Sequence, residues 1–443
     1  MSRIGWMSAL RAGTALGLLI VAVAEAHAGA FAIREQSAYG QGTSFAGVAA
    51  GGALSSMFWN PATMTQFQGI VSENGFTGLI PKANQTPQVG SVPALLPFGG
   101  VSNSAEMALV PNGYTSYQIS PSLWLGLSIN APFGLSVDFP DLWAGRNYAG
   151  DSLLKTYNAT PSIAWRINDW ISVGAGVQLQ YAKADYASGL GATPGSQLLL
   201  NAHGFGFGFT AGVTLTPTPT TLIGVGWRSA IDQDLHGNLY LPVSPAFFPP
   251  ISTPGPVEAT LKLPDIVSLG IRQALSPQWT VMGTVEWSNW SRIGTTTVNQ
   301  SNGGPALIGN RVFALPFQYD DGWFFSAGAE YRWNERLTLR GGVGYEITPI
   351  TDQVRTPRLP DNDRIWGSIG ASWWLNKFIH FDLAYTHIWF RDTNINITAA
   401  SGNPWFVGVP YVGTTDSQVD MISGALVVRF DDLEPSVKKP FMK

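Results

Sequence analysis

Hydrophobic and polar residues alternate along most of this chain. In one example Phe205, Phe207 and Phe209 occupy one parity, while Gly206 and Gly208 occupy the other. Successive side chains of a β-strand point to opposite faces, so such a run has one apolar face. Many of these runs reach the ~9–11 residues of a tilted membrane-spanning strand. The pattern therefore predicts a transmembrane β-barrel with its apolar face toward lipid.

Fourteen such runs can be counted, an even number of the kind that closes a single-chain bacterial barrel. We predict an all-β fold, a fourteen-stranded antiparallel barrel over residues 69–430. The predicted strands cover 69–80, 106–119, 121–130, 154–168, 170–186, 203–216, 218–231, 264–274, 277–289, 320–333, 335–348, 364–374, 377–391 and 419–430.

The connections between these runs alternate between short and long. Short periplasmic turns and long external loops are usual in such barrels, so both chain ends are expected in the periplasm. The long connections are 81–105, 131–153, 187–202, 232–263, 290–319, 349–363 and 392–418. Tryptophans lie near both ends of the runs and predict two aromatic girdles. They include Trp124, Trp165, Trp170, Trp279, Trp333, Trp373 and Trp374 near the turns, and Trp227, Trp287, Trp290, Trp323, Trp366 and Trp389 near the loops.

Composition favours a membrane protein over a soluble enzyme. Charged residues make up 12% of the 443 residues, about half the usual share of roughly 25%. The chain has 50 Gly and 17 Trp. A net charge of −4 offers no basic domain for nucleic acid. The sequence has no Cys, which excludes disulfides and thiolate metal sites.

The N-terminus has the features of a secretory signal peptide. Arg3 and Arg11 flank an apolar run, and Ala26-His27-Ala28 supplies small residues at a cleavage position. We predict a signal peptide over residues 1–28. At the other end, residues 431–443 follow the last strand and predict a solvated periplasmic tail.

Residues 29–68 precede the first strand and predict a hatch, a plug inside the barrel. The segment is rich in Gly and Ala, yet Phe31, Phe45 and Trp59 give it apolar surface to bury. A fourteen-strand barrel also has a wide lumen that needs filling. A flexible tail would leave both facts unexplained.

Several motifs, in their order along the chain, resemble the FadL/TodX family of outer-membrane transporters of hydrophobic compounds. The similarity extends over essentially the whole mature chain. The matching segments are 29–47, Asn60-Pro61-Ala62, 131–135, 145–149, 263–265, 287–291 and 355–364.

The resemblance implies passive uptake of long-chain fatty acids or aromatic or aliphatic hydrocarbons through a hatch-plugged barrel. It implies capture in outer loops, a deeper pocket at the hatch and lateral exit through a kinked third strand. Carried over to this chain, the hatch contacts fall on Phe31, Asn60, Pro61 and Ala62. The lateral opening falls on Gly126, Asn130 and Pro132.

Apolar residues also occur in two predicted outer loops. Exposed apolar groups of this kind are typical of binding surfaces, but loops that fold onto one another would explain them equally well. The candidate ligand contacts are Leu95, Leu96, Phe98, Leu241, Phe247 and Phe248.

A basic residue for a fatty-acid carboxylate is harder to place. Relatives often have one just before the tenth strand, but residues 317–321 contain no Lys or Arg. Lys183 and Arg340 are the remaining candidates, the latter if it is free of a wall ion-pair network. The departure gives weight to a neutral hydrocarbon ligand.

Catalysis finds no support, and no cofactor or metal is expected. The sequence has no Walker A, G-x-S-x-G or H-E-x-x-H motif. His380 and His387 are seven apart on one predicted strand, hence on opposite faces.

We expect a monomer whose partners are its ligand, outer-membrane lipid and lipopolysaccharide. A surface adhesin or structural barrel is the alternative, and a general polar porin is a third possibility.

Overall fold

The structure is a computed structural model that describes residues 29–240, 255–301 and 311–430. The predicted signal peptide, residues 1–28, and the predicted tail, residues 431–443, lie outside these ranges. So do three of the outer-loop candidates, Leu241, Phe247 and Phe248.

One closed antiparallel sheet of fourteen strands forms the barrel. It closes where β1 pairs with β14, from Val71 opposite Arg429 to Pro87 opposite Gly413. The strands are β1 Ile70–Pro87, β2 Ala108–Ser120, β3 Leu123–Asn130 with Gly134–Val137, β4 Ser152–Arg166, β5 Ile171–Gly189, β6 Gln197–Thr218, β7 Thr221–Arg228 with Ile231–Tyr240, β8 Gly255–Leu263 with Ile266–Ala274, β9 Trp279–Ser288 with Thr295–Gln300, β10 Arg311–Pro316 with Gly322–Arg332, β11 Leu337–Ile347, β12 Arg364–Trp374, β13 Ile379–Phe390 with Thr393–Ile397, and β14 Tyr411–Arg429.

All fourteen predicted strands are present, but many extend further toward the long loops than the sequence indicated. Most of the predicted loop 187–202 is strand, and the loop 232–263 contains Ile231–Tyr240 and Gly255–Leu263. These extensions carry polar residues on their outer face, as in Asp232, Asp234 and His236. The apolar alternation that marks a lipid-facing strand is therefore missing there.

The alternation assigns the faces correctly in the barrel wall. Phe205, Phe207 and Phe209 are 63%, 67% and 59% exposed on the outside. Several predicted girdle tryptophans are exposed as well, but Trp124 and Trp366 are buried and face inward. Their positions fall on the inward parity of β3 and β12, so proximity to a strand end was not enough to place them.

Residues 29–68 form a compact segment within the lumen, and most of them are buried. The segment, called the hatch below, contains the helix α1 and three short 3-10 helices; two more 3-10 turns lie in loops. These elements are α1 Ala38–Gln41 and the 3-10 helices Val48–Ala50, Leu54–Phe58, Pro61–Gln66, Leu96–Phe98 and Trp290–Ile293. None of the described helices is long and apolar enough to cross a membrane.

The inward-facing glycines of the wall allow the hatch backbone to approach closely. A Cβ added to Gly224 would lie 1.8 Å from the carbonyl oxygen of Ala49. One added to Gly342 would lie 2.1 Å from the carbonyl oxygen of Thr43. Both distances are far below van der Waals contact. The hatch therefore packs against inward-facing strand positions that only glycine can occupy.

Candidate ligand-binding cavity and hatch

A cavity lies between the N-terminal end of the hatch and the long-loop end of the barrel. It encloses about 1020 Å³ of space, including the part open to solvent. Most of its lining is aliphatic or aromatic, including Phe31, Leu154, Leu200, Val257, Leu315 and Leu359. Such a lining suits the hydrocarbon part of a ligand.

Phe31 is the one predicted hatch residue that lines this cavity. Its ring centroid lies 4.7 Å from that of Trp290, 6.4 Å from Phe133 and 6.3 Å from Phe317. These are distances at which aromatic rings interact favourably. The hatch therefore begins in an aromatic cluster at the cavity wall.

The backbone beside Phe31 is bonded directly to the interruption in β3. Ile33 N donates to Pro132 O at 2.8 Å, and Gly134 N donates to Phe31 O at 2.8 Å. The strand thus leaves the wall between its two segments and pairs with the hatch. A displacement of Phe31 would break bonds that hold this kink.

The kink also interrupts the pairing between β2 and β3, which resumes only at the bridge between Ala105 and Val137. Among the described residues, β2 pairs with β3 only between Gly113 and Ser120. The preceding residues, 108–112, have no partner in β3. Asn130, at the end of the paired segment, is buried. Gly126 lies lower in the wall, where an added Cβ would meet the sulfur of Met64 at 2.2 Å.

Charged groups surround the start of the hatch. Arg34 forms ion pairs with Glu286 and with Glu346, the latter at 3.3 Å. Glu35 is 1% exposed, and its carboxylate oxygens accept no hydrogen bond from the described residues. Burial raises the pKa of Glu35 to about 7, outweighing the nearby Arg34 and Arg364.

Asn60 fixes the other end of the hatch. Its Nδ2 donates to Ala49 O at 2.7 Å and to Val213 O at 2.9 Å, while its Oδ1 accepts from Ala62 N at 3.0 Å. Asn60 thereby caps the 3-10 helix that starts at Pro61 and ties it to β6. Asn60, Pro61 and Ala62 are all buried away from the cavity, so here they anchor the hatch and do not line the pocket.

Arg358 is a cavity residue that the sequence interpretation missed, and it is the sole Lys or Arg among the described lining residues. Its terminal nitrogens donate to neutral oxygens: three backbone carbonyls and the hydroxyl of Ser152. The guanidinium also lies 3.7 Å from the ring centroid of Tyr186. Burial lowers the pKa of Arg358, and no described carboxylate lies within 4.0 Å of it. The motif over 355–364 contained this residue, but sequence alone gave no reason to place it at the pocket.

Neither predicted carboxylate partner lines the cavity. Lys183 faces outward and pairs with Asp185 at 2.7 Å. Arg340 is buried beneath the hatch and pairs with Asp382 at 3.4 Å and with Glu330 at 3.5 Å. Asp382 and Glu330 therefore already compensate the charge of Arg340, in line with the ion-pair network expected in the barrel wall.

The described outer-loop candidates lie in one short helical turn. Leu95 is buried within its loop, Leu96 is partly exposed and Phe98 is 39% exposed. None of the three lines the cavity. Within the described residues, no group of three or more His, Cys, Asp or Glu side chains is arranged to hold a metal ion.

The chain is similar in sequence to known transport proteins over nearly its whole length. It is 26% identical over 430 residues to the long-chain fatty acid transport protein of Salmonella typhi, covering 89% of this chain and 97% of that protein. It is 25% identical over 444 residues to the protein of that name from Escherichia coli K12, again covering 89% and 97%.

Solved structures share the fold. A FadL homologue from Pseudomonas aeruginosa superposes with a TM-score of 0.79 at 21% identity, covering 91% of this chain and all of that chain. The toluene transporter TbuX of Ralstonia pickettii gives 0.64 at 19%, covering 89% and 98%. The toluene transporter TodX of Pseudomonas putida gives 0.68 at 15%, covering 91% and 100%.

A family-wide sequence profile matches residues 19–430, which include the hatch and all fourteen strands. The family is described as outer membrane protein transport protein (OMPP1/FadL/TodX). Its barrel fold, its outer-membrane location and its transport role agree with the closed sheet and the apolar cavity described above. This chain belongs to the OMPP1/FadL/TodX family of outer-membrane transport proteins.

Proposed function

We propose that this protein takes up hydrophobic small molecules passively across the outer membrane, with long-chain fatty acids as the favoured ligands. The observation that carries the proposal is the apolar cavity that ends at Phe31 of the hatch and contains one buried cation. Relatives named for fatty-acid transport and for toluene transport support the broader class. We further propose a monomer with both chain ends in the periplasm.

Ligand capture is proposed to begin at the outer loops and to end in the cavity. Leu96 and Phe98 offer partly exposed apolar surface, and Leu95 supports their turn from within. From there a ligand would exchange its contacts with the loop side chains for contacts with the apolar lining of the cavity. Burial of hydrocarbon contributes about 0.8 kcal/mol per CH₂ group, so a long chain gains much from the cavity.

Gating is proposed to act through the hydrogen bonds that join the hatch to the β3 kink. A ligand that displaces Phe31 would loosen the bonds to Pro132 and Gly134. The adjacent stretch of β2, residues 108–112, already lacks a partner in β3. Widening this gap would open a lateral path into the lipid beside Asn130 and Pro132, with residues 108–112 of β2 on its other side.

Arg358 favours a ligand with a carboxylate over a neutral hydrocarbon. A buried guanidinium with no described carboxylate within 4.0 Å is costly, and an anionic head group would compensate its charge more closely than Asp151 does. The backbone carbonyls around it hold the side chain in place at the cavity wall. In this proposal Arg358 replaces Lys183 and Arg340 as the carboxylate partner.

The test is ligand binding to the refolded barrel, followed by quenching of tryptophan fluorescence. Oleate and toluene serve as the charged and neutral probes. Arg358→Gln is expected to weaken oleate binding about tenfold and to leave toluene binding unchanged, while Arg358→Lys retains part of the oleate affinity. Arg292→Gln, which alters an ion pair with Asp232 away from the cavity, is the matched control.

The possible outcomes separate the two parts of the proposal. Equal loss for both probes would make Arg358 a structural residue and remove the preference for acids. If neither probe bound the unaltered protein, the uptake function itself would be contradicted.

A further inference from the structure

Four basic side chains form a row on the outside of the barrel, across four neighbouring strands. Lys155 of β4 is paired with Lys183 of β5, Lys183 with His203 of β6, and His203 with His236 of β7. Three are exposed and Lys155 is partly exposed. Directly opposite residues have Cβ atoms about 4.5–5.5 Å apart, so these four form one continuous patch, called the basic row below.

The basic row lies at the border between the apolar belt and the long-loop side. The next outward-facing position toward the short turns is aromatic on three of the strands, where Tyr157, Tyr181 and Phe205 are cross-strand partners. The rings of Tyr181 and Phe205 lie 5.1 Å apart. Aromatic belts mark the membrane–water interface, so the basic row lies at the level of the lipid head groups.

The two lysines keep an excess of positive charge at their end of the row. Asp185 pairs with Lys183 at the surface of the barrel, where such pairs contribute little. No described carboxylate lies within 4.0 Å of Lys155. Asp234, two residues before His236 on the same face, and Glu258, paired with His236, limit the positive charge at the far end of the row.

A second outward cluster at the same level shows the contrast. On β13 and β14, His387 Nδ1 lies 2.7 Å from Asp420 Oδ1, and Tyr385 donates to the same oxygen at 2.6 Å. This cluster contains its own counter-charge. In the basic row, two lysines lie directly opposite each other, an arrangement that is unfavourable without an external anion.

We propose that the basic row binds the phosphate groups of a phosphorylated glycolipid of the outer leaflet, lipid A being the chemical type. Phosphate suits the row because two closely spaced lysine ammonium groups can bind its oxygens together. The aromatic row below would contact the first part of the acyl chains. The inference is independent of what the cavity carries.

The experiment compares lipid A with its dephosphorylated form, using the full-length protein in detergent and microscale thermophoresis. The double variant Lys155→Gln/Lys183→Gln is expected to bind lipid A about 25-fold more weakly, from about fivefold per lysine. Lys82→Gln, on β1 beside Asp420, is the matched control and is expected to bind normally. Slower gel migration after heating confirms that each variant was folded.

Two results would overturn the proposal. One is unchanged lipid A binding by the folded double variant. The other is equal affinity of the unaltered protein for the dephosphorylated lipid. A salt-dependent loss of binding in the unaltered protein is the expected supporting result, because exposed charges are screened.

Discussion

The two ends of the hatch differ in what they contact. The first end has an aromatic ring at the cavity and charged groups around it, Arg34 and Glu35. The second end contains Asn60 and is held by amide hydrogen bonds against the wall, away from the cavity. Both ends were expected to contact ligand. The structure instead separates a cavity-lining end from an anchoring end.

Under the proposed gating, this difference would let the hatch respond to a ligand without leaving the barrel. Bonds at the Asn60 end are short, buried and uncharged, so a ligand in the cavity does not compete for them. Bonds at the Phe31 end join the cavity wall to the β3 kink, so they share residues with the proposed exit. Breaking only the hydrogen bonds at the Phe31 end costs less free energy than releasing the whole hatch.

The largest expected effect comes from removing the anchor. Asn60→Ala deletes three hydrogen bonds and leaves the buried carbonyl of Ala49 and the partly buried carbonyl of Val213 without this donor. We expect the docked hatch to lose about 4 kcal/mol of stability. Hydrogen exchange of residues 60–66, followed by mass spectrometry, measures this. Asn84→Ala, exposed on β1, is the control, and protection equal to the unaltered protein would contradict the anchoring role.

The second effect is a pH dependence confined to the Phe31 end. The pKa of Glu35 is raised from 4.5 to about 7 in the docked hatch, so docking is most stable below pH 4.5 and loses stability as the pH rises to 7. The full change is on the order of 3 kcal/mol. Hydrogen exchange of residues 29–36 should therefore speed up between these pH values, and Glu35→Gln should abolish that part of the change. An equal pH response at residues 60–66 would refute the distinction between the ends.

A smaller effect is expected from the glycine surface. Gly224→Ala places a methyl group against the carbonyl oxygen of Ala49, so the middle of the hatch must shift at a cost of about 2 kcal/mol. Faster exchange of residues 46–56 would reveal the shift. Gly283→Ala is the matched control, since its nearest contact would be 3.6 Å away. Equal behaviour of the two variants would show that close approach is not what the glycines provide.

The smallest expected effect separates binding from anchoring. Phe31→Ala removes one ring from the cavity wall, and we expect oleate binding to weaken about tenfold, or about 1.4 kcal/mol. Exchange at residues 60–66 should not change. Phe207→Ala, on the outer face of β6 and outside the cavity, is the control. A Phe31 variant that exposed the Asn60 end would mean that the two ends are not independent.

Much of the fold could be predicted from the sequence because its pattern is local. Alternation with period two reveals which residues face lipid, as for Phe205 and its neighbours, and the number of runs gives the number of strands. The apolar residues within a Gly- and Ala-rich segment predicted that residues 29–68 fill the lumen. The outer strand extensions escaped prediction because their outward-facing residues are polar, as in Asp232 and Asp234.

The candidate site was harder because it depends on contacts between distant segments. Arg358 comes to the cavity from one loop and Phe31 from the hatch, with more than 300 residues between them. Lys183 and Arg340 carried the right charge, but only the assembled barrel shows that one faces outward and the other already has acidic partners. Trp124 and Trp366 show the same limit, since nearness to a strand end does not determine the face.

The sequence by itself determined that this is a fourteen-strand outer-membrane barrel with a segment to fill it. The reason is that a strand with one face toward lipid needs an apolar residue at every second position. Only the tertiary structure decided where the cavity lies, which cation it contains and which end of the hatch touches it. Those properties depend on distances across the lumen. No local pattern encodes such distances, because the residues that set them are joined through packing and not along the chain.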